Sequence, residues 1–220
     1  MIQNAADADA DPDPDDPAGG VPRLEVLALS CRYGGPFELR LEPAECVAIV
    51  GRSGSGKSVL LRLIADLDPH EGDVRLDGRA RSSWPAPAWR RQVVYQAAEP
   101  AWWAATVRAH LPAGSLAQVE ALLPALGLEA AQLDAEVTRL STGERQRMAL
   151  LRSLACAPRV LLLDEPTAAL DQASTLAVEA LLAARVQAGL SIAFVTHSRE
   201  QAERVGQRLL EVREHRIHAA

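Results

Sequence analysis

The octapeptide GRSGSGKS at residues 51–58 contains the only lysine of the chain, Lys57; the other 22 of the 23 lysines and arginines are arginine. The octapeptide fits the pattern G-x-x-x-x-G-K-[ST], follows the apolar run CVAIV and precedes KSVLLRLI, which has helical spacing. Glycines allow a backbone to wrap around a phosphate, with its N–H groups pointing inward beside the positive end of a helix. We therefore predict a phosphate-binding loop formed by Gly51, Arg52, Ser53, Gly54, Ser55, Gly56, Lys57 and Ser58.

The chemistry of Lys57 explains why this position keeps a lysine. An ammonium is a compact charge on a thin, flexible stem that can reach between the β- and γ-phosphates of a nucleotide, whereas a guanidinium is a wide planar fork. The hydroxyl of Ser58 is predicted to ligate Mg²⁺.

Composition and charge limit the possible classes of protein. The chain has 220 residues, 48% of them hydrophobic, which indicates a globular protein with one sizeable domain. Residues 1–20 carry six Asp and no basic residue, which predicts a disordered acidic tail. In residues 21–220, 23 acidic residues balance 23 basic ones. This balance gives no basic footprint for nucleic acid, so no nucleic-acid partner is expected.

Other segments bear on cellular location. No apolar run approaches the roughly 20 residues that a membrane-spanning helix needs, and the N-terminus lacks the pattern of a signal peptide. Cys31, Cys46 and Cys156 are widely spaced and lack metal-ligand spacing. They are interpreted as reduced, structural thiols of a cytosolic protein.

Strand and helix patterns alternate along the chain. Strands are predicted in RLEVLALSCRY, FELRLEPAECVAIVG, EGDVRLDGR, VLLLDEP, SIAFVTH and RLLEVRE, and helices over residues 57–67, 143–156, 172–188 and 198–206. Residues 101–140 are rich in Ala and Leu and interrupted by Pro and Gly, which favours short helices. This alternation predicts an α/β sheet with a helical insertion.

Four further motifs follow the phosphate loop in order: LSTGERQR at residues 140–147, VLLLDEP at 160–166, AALD at 168–171 and VTHS at 195–198. Together the five motifs resemble the ATP-binding-cassette (ABC) ATPase family over nearly everything from residue 22 onward. The resemblance implies a P-loop NTPase of ABC type at residues 21–220. Its α/β fold would have a mixed-sheet core, an antiparallel β subdomain and a small helical subdomain at about 101–156.

The resemblance also implies roles for residues that match the family motifs. Asp164 would hold Mg²⁺, Glu165 would be the general base that deprotonates the attacking water, and His197 would contact the γ-phosphate. Asp171 would lie at the seam of a dimer. Ser141 and Gly143 would close over the ATP bound to the opposite subunit, so that two chains enclose two ATP molecules.

An aromatic residue for the adenine base is less sharply indicated. Tyr33 is the best candidate for stacking on adenine, but it precedes the phosphate loop by only 18 residues, which is short for this family. Simple packing of Tyr33 is an equally good interpretation of the sequence.

The sequence departs from the family pattern in three places, one of which is the common variation of Glu144 in place of a glutamine. Thr142 occupies a position where glycine is usual, and Ala98 occupies that of the glutamine that reaches Mg²⁺ and the attacking water. We hypothesise that Glu99 takes over this metal contact through a bent loop. In an extended segment, Gln96 would share the face of Ala98 but lie about 6 to 7 Å away along the chain.

The resemblance implies the ATP-hydrolysing subunit of an ABC transporter, peripheral to the cytoplasmic face of the cell membrane, with a separate permease and a second ATP-binding subunit in a homodimer. Within the family, the short helical insert and the line WRRQVVYQAAEPAWWAATV most resemble the small cassettes of the iron-export or metal-resistance group. The alternatives are a soluble, non-transport ABC ATPase and a degenerate cassette that binds ATP as a regulatory partner.

The four tryptophans fall within twenty residues, at positions 84, 89, 102 and 103. Adjacent side chains point in different directions on any regular element, so we expect at least one of Trp102 and Trp103 to be exposed, and to dock a cytoplasmic helix of the permease.

Overall fold

The computed structural model describes residues 20–220, so the predicted acidic tail lies outside the described residues except for Gly20. The strands of this part are β1 (Leu24–Cys31), β2 (Gly34–Leu41), β3 (Cys46–Val50), β4 (Glu71–Leu76), β5 (Arg79–Ala80), β6 (Val93–Gln96), β7 (Val160–Asp164), β8 (Ser191–Val195), β9 (Arg208–Arg213) and β10 (Arg216–Ala219). The α-helices are α1 (Lys57–Ile64), α2 (Ala86–Gln92), α3 (Leu116–Leu122), α4 (Thr142–Ala155), α5 (Gln172–Gln187) and α6 (Arg199–Val205).

The strands form two sheets. The smaller one is antiparallel, with the order β2-β1-β4-β5. The larger one has the order β10-β9-β3-β8-β7-β6, in which only β10 runs antiparallel to its neighbour. The predicted combination of a mixed sheet, an antiparallel sheet and helices is confirmed.

The central strands of the mixed sheet separate two apolar cores. All five residues of β3, β7 and β8 are buried, as their continuous apolar runs predict. Along β7, Val160 and Leu162 belong to the core shared with α1 and the antiparallel sheet, whereas Leu161 and Leu163 belong to the core shared with α4 and α5. Alternate residues of a buried strand thus serve opposite faces.

Most predicted elements are present, with two differences. The segment at residues 37–51 is divided into β2 and β3, because the chain turns after Glu42 and Ala44 takes a positive φ of 57°. The second difference is that the sequence patterns predicted no element for the segments that form α2, β6 and β10.

The segment at residues 101–156 contains α3, α4 and short 3₁₀ turns, as expected for a helical insertion. These turns are Arg108–His110, Pro124–Leu126, Ala130–Leu133 and Val137–Arg139. The boundaries of a separate helical subdomain stay a prediction. Within residues 20–220, no helix has both the length and the apolar character needed to cross a membrane.

The tryptophans differ widely in exposure. Trp89 is fully buried, and its indole N–H donates to the carbonyl of Ile64 at 3.0 Å. Trp102 packs against the core shared with α4 and α5, whereas 74% of the surface of Trp103 is exposed. The prediction that at least one of the adjacent pair is exposed is confirmed.

The pairing of β1 with β4 depends on a glycine. Gly72 has a φ of +86°, and a Cβ added there would lie 2.4 Å from the carbonyl oxygen of Ala28, where the register of the two strands shifts. A backbone atom cannot move away as a side-chain tip can, so only glycine fits this position.

We predict that Gly72→Ala lowers the free energy of unfolding by about 2 to 4 kcal/mol, because it combines backbone strain with a steric clash. Gly127→Ala is the control, since φ there is +60° but the surrounding space is open; its cost should be about 1 to 2 kcal/mol. Urea denaturation measures both, and equal losses would contradict the argument from steric contact.

Candidate active site

The phosphate loop connects β3 to α1. Gly51 has a φ of +150°, and a Cβ there would lie 2.5 Å from the carbonyl oxygen of Val212 in β9. Gly56, with a φ of +106°, is the residue from which α1 begins. The two glycines let the loop turn tightly against the sheet before the helix starts, as the sequence motif predicts.

Lys57 is buried at the start of α1, with only 5% of its surface exposed. Its Nζ donates to the carbonyls of Gly51 at 2.7 Å and Arg52 at 3.0 Å. Burial lowers the pKa of Lys57, while the charges of Glu165 and Asp164 act in the opposite direction. The ammonium is therefore enclosed by its own loop and lies within electrostatic range of Asp164, the last residue of β7, and of Glu165, which follows it.

Asp164 ends β7 and is buried, with 3% of its surface exposed. The hydroxyl of Tyr95 in β6 donates to Asp164 Oδ2 at 3.1 Å. Burial, followed by the nearby charge of Asp164, raises the pKa of Tyr95, so the phenol stays protonated and remains a donor at neutral pH. Sequence reasoning missed this role, since the two residues lie far apart in the chain.

Glu165 follows immediately, in an unusual backbone conformation. Its φ is +48°, a region that costs a residue other than glycine about 1 to 3 kcal/mol and that often occurs at functional sites. His197, in the loop after β8, has its Nε2 atom 2.5 Å from Glu165 Oε1. The imidazole and the carboxylate are thus in direct contact, which orients both groups.

A buried glutamine links the two loops that carry these residues. Gln201 in α6 accepts from the hydroxyl of Thr196 at 2.8 Å and donates to Thr167 Oγ1 at 2.9 Å. Thr196 precedes His197, and Thr167 lies two residues after Glu165. Gln201 thus holds the two loops at a fixed separation, a role that its sequence context did not reveal.

One cleft of about 400 Å³ brings together half of the predicted site residues. It is lined by Tyr33, Ser53, Gly54, Gly56, Lys57, Ser58, Val59, Glu165, His197 and His215. The phosphate loop, the predicted base and the predicted phosphate contact therefore share one space with Tyr33. Sequence reasoning missed His215, because the turn that carries it lies far from every motif.

Other predicted residues lie outside this cleft, at helix starts. Ser141 caps α4: its hydroxyl accepts from the Glu144 N–H at 3.2 Å, and Glu144 accepts from the Ser141 N–H at 2.7 Å. Asp171 caps α5 and accepts from the Ser174 N–H at 2.7 Å. Hydrogen bonds from the Ser141 and Ser174 backbones, respectively, hold the pKa values of Glu144 and Asp171 below their ordinary values.

The segment that departs from the family pattern follows β6. Gln96 is buried and accepts from the hydroxyl of Ser153 in α4 at 3.3 Å, so it contacts the helical core. Ala98 and Glu99 are exposed in the following loop. Glu99 is not among the residues that line the cleft, and its proposed contact with a metal stays a prediction.

The donor atoms beside the loop suit Mg²⁺. Asp164 Oδ1 is buried and has no hydrogen-bond partner within residues 20–220, and Ser58 lines the cleft. Mg²⁺ prefers oxygen ligands and is commonly bound by one or two carboxylates together with substrate phosphates. Ser58 and Asp164 therefore fit the ion that the sequence motif implies.

Comparisons with known proteins agree with this geometry. The family model described as ABC transporter matches residues 35–168. The chain is 38% identical over 202 residues to an aliphatic sulfonates import ATP-binding protein of Xanthomonas axonopodis, covering 87% of this chain and 67% of that protein. It is 39% identical over 197 residues to an Fe(3+) ions import ATP-binding protein of Rhodococcus jostii, covering 81% of this chain and 56% of that one.

A solved structure has the same fold. It is the dimeric structure of an ATP-binding cassette in a post-hydrolysis state bound to ADP and Pi. The TM-score is 0.76 at 24% identity, covering 89% of this chain and 98% of that one. The narrower resemblance to an iron-export or metal-resistance group stays a prediction.

We predict that Tyr95→Phe lowers the free energy of unfolding by about 1 to 3 kcal/mol, because it leaves a buried carboxylate oxygen without its donor. Tyr33→Phe is the matched control: Tyr33 is 59% exposed, so loss of its hydroxyl should change stability by less than about 0.5 kcal/mol. Chemical denaturation without nucleotide gives both values. Equal stability of the two variants would show that the Tyr95–Asp164 hydrogen bond contributes nothing.

Proposed function

This chain belongs to the ABC transporter family, and from that premise we propose that it is the ATP-hydrolysing subunit of a transporter, acting with a separate membrane permease at the cytoplasmic face of the membrane. The observation that carries the proposal is the convergence of the phosphate loop, Glu165 and His197 on one cleft of about 400 Å³. The loop can hold phosphates, and the acid can receive a proton from water beside them.

We assign the nucleotide to the cleft in one orientation. The β- and γ-phosphates lie in the loop at residues 51–58, where Lys57 exchanges its contacts with the carbonyls of Gly51 and Arg52 for phosphate oxygens. Tyr33 lines the same cleft and is 59% exposed, which leaves its ring accessible to the adenine base. The guanidinium of Arg32 lies 4.4 Å from the centre of that ring and supports it from one side.

Hydrolysis then requires a base and an oriented γ-phosphate. Glu165 accepts a proton from a water molecule. The oxygen of that water attacks the γ-phosphorus, and the bond between the γ-phosphorus and the oxygen that leaves with ADP breaks. His197 holds the Glu165 carboxylate and contacts the γ-phosphate. Mg²⁺, held by Ser58 and Asp164, would neutralise charge on the phosphates when bound.

A second copy of the chain supplies the remaining contacts in this proposal. Ser141 and Gly143 are at the start of α4, and Asp171 is at the start of α5; these positions are outside the cleft of their own chain. A helix start favours anions through its free N–H groups and dipole. In a homodimer, the α4 start of one chain would face the γ-phosphate held by the other.

The permease partner is assigned to a different surface. Trp103 is 74% exposed, and the guanidinium of Arg152 lies 5.2 Å from its ring centre. Large aromatic side chains with a cationic neighbour are frequent in the centres of interfaces. The cargo is a property of the permease, and the two relatives named for sulfonates and Fe(3+) do not assign one to this chain.

The first prediction concerns Lys57. Both Lys57→Ala and Lys57→Arg should weaken ATP binding by at least about tenfold, because the wider guanidinium cannot occupy the enclosed space of the ammonium. Isothermal titration calorimetry measures the affinities. Arg91→Lys, at an exposed residue of α2 outside the cleft, is the control and should bind as the wild type does. Near-normal binding by Lys57→Arg would refute the argument from shape.

The second prediction concerns Glu165. Glu165→Gln keeps the shape of the side chain but removes the base, so ATP should still bind while turnover falls by roughly 10² to 10⁴. The exposed Glu200→Gln is the control, with unchanged turnover expected. Phosphate release, measured with the permease present, tests this. Equal turnover by Glu165→Gln and wild type would reject the base; if both are inactive while ATP binds, the regulatory-cassette alternative is favoured.

A further inference from the structure

Deepening the proposed function, and resting on it, we infer that His215 contacts the ribose and α-phosphate part of the bound nucleotide. His215 lies in the two-residue turn that joins β9 to β10, where Arg213 pairs with Arg216. Glu214 and His215 both have positive φ angles, 48° and 61°. Two-residue hairpin turns with positive φ at both central residues favour Asn-Gly. This chain therefore has a bulky side chain at a position where the backbone conformation disfavours one.

The turn is held against both parts of the cleft. The N–H of Gly35, at the start of β2, donates to the carbonyl of His215 at 3.1 Å. A Cβ added to Gly34 would lie 3.2 Å from His215 Nδ1, and one added to Gly56 would lie 3.1 Å from the same atom. The imidazole therefore lies directly between the hairpin that carries Tyr33 and the end of the phosphate loop.

This location corresponds to the middle of a nucleotide. If the base lies at Tyr33 and the β- and γ-phosphates lie in the loop, the ribose and the α-phosphate must pass between them. His215 lines the same cleft as those two anchors. Its ring makes no hydrogen bond with any other residue in the part of the chain that the structure describes, so its nitrogens are available to a ligand.

A purely structural role explains the arrangement less well. A glycine at position 215 would adopt the same turn without strain and would still offer the carbonyl that Gly35 contacts. The imidazole ring is the part that the turn does not require, and this ring is the part that faces the cleft.

The test compares ligands that share phosphates but differ in the nucleoside. His215→Gly should weaken the binding of ATP and ADP by about fivefold to tenfold, as expected for one lost hydrogen bond, but leave the binding of inorganic tripolyphosphate within twofold of wild type. Isothermal titration calorimetry measures all three. His218→Asn, on an exposed residue of the same hairpin, is the matched control and should leave all three affinities unchanged.

Thermal unfolding of the nucleotide-free variants distinguishes a contact of His215 with the nucleotide from a role of His215 in stabilising the fold. His215→Gly should melt at or above the wild-type temperature, because it relieves a positive φ, and His215→Asn should also remain folded, because asparagine tolerates this conformation. Loss of ATP affinity without loss of stability supports the inference.

Two outcomes would overturn the inference. ATP affinity of His215→Gly within twofold of wild type would show that the ring does not meet the nucleotide. An equal loss of affinity for tripolyphosphate and ATP would show that His215 only supports the phosphate loop. Failure of the wild-type chain to bind ATP is a distinct result, which would refute the proposed function as well.

Discussion

The parallel pairing of β3 with β8, and of β8 with β7, is the constraint on which the site depends. Ile49 and Asp164 both pair with Val195, so the three strands end at the same level. Their carboxyl ends therefore deliver the phosphate loop, Glu165 and His197 to one edge of the sheet. Since all residues of these strands are buried, a slip of one residue would exchange the side chains facing the two cores and move the site with them.

The rigid frame is what makes the less favourable features of the site tolerable. Glu165 has a positive φ, and Lys57 is a buried cation. Such features persist only where the surroundings determine them strongly. Here the Glu165 N–H donates to the carbonyl of Val195 at 3.0 Å, and Gln201 connects the loops after β7 and β8. The strained acid is thus held by the strand next to its own.

How much the sequence could predict depended on whether a feature is local. The phosphate loop, Glu165 after β7 and the histidine after β8 are each encoded in a short contiguous motif beside an apolar strand, and the structure brings them into one cleft. The Tyr95–Asp164 hydrogen bond and the contact of His215 with the phosphate loop join segments that are distant in the chain. No local sequence pattern therefore predicts them. The strand β10 was missed because it has only four residues and is largely exposed.

Gln96 illustrates the limit of reasoning from an isolated strand. The alternation of side chains along an extended segment places Gln96 on the same face as Ala98. It does not determine which face of the strand is turned toward the proposed active site. In the structure, Gln96 pairs with Leu163, and both side chains belong to the helical side, where Gln96 meets Ser153. Tyr95, one residue earlier, faces the opposite side and reaches Asp164. The register with β7 thus decided which residue of β6 serves the site.

The arrangement of the helix starts bears on why one chain is not sufficient for the proposed reaction. A Cβ added to Gly143 would lie 3.3 Å from Leu170 Cδ2 and 3.5 Å from the carbonyl oxygen of Ala169, so the starts of α4 and α5 belong to one continuous surface. The residues of that surface do not line the cleft of their own chain, and in the proposed reaction the phosphate loop would meet the phosphates from one side only. In the homodimer we propose, two-fold symmetry would place this surface of each chain over the cleft of the other. ATP would then join the two chains, and its hydrolysis would remove the γ-phosphate that the joined surfaces share. Hydrolysis of the nucleotide would therefore weaken the contact between the two chains. The chains could then move apart, and a permease docked on both of them would move with them.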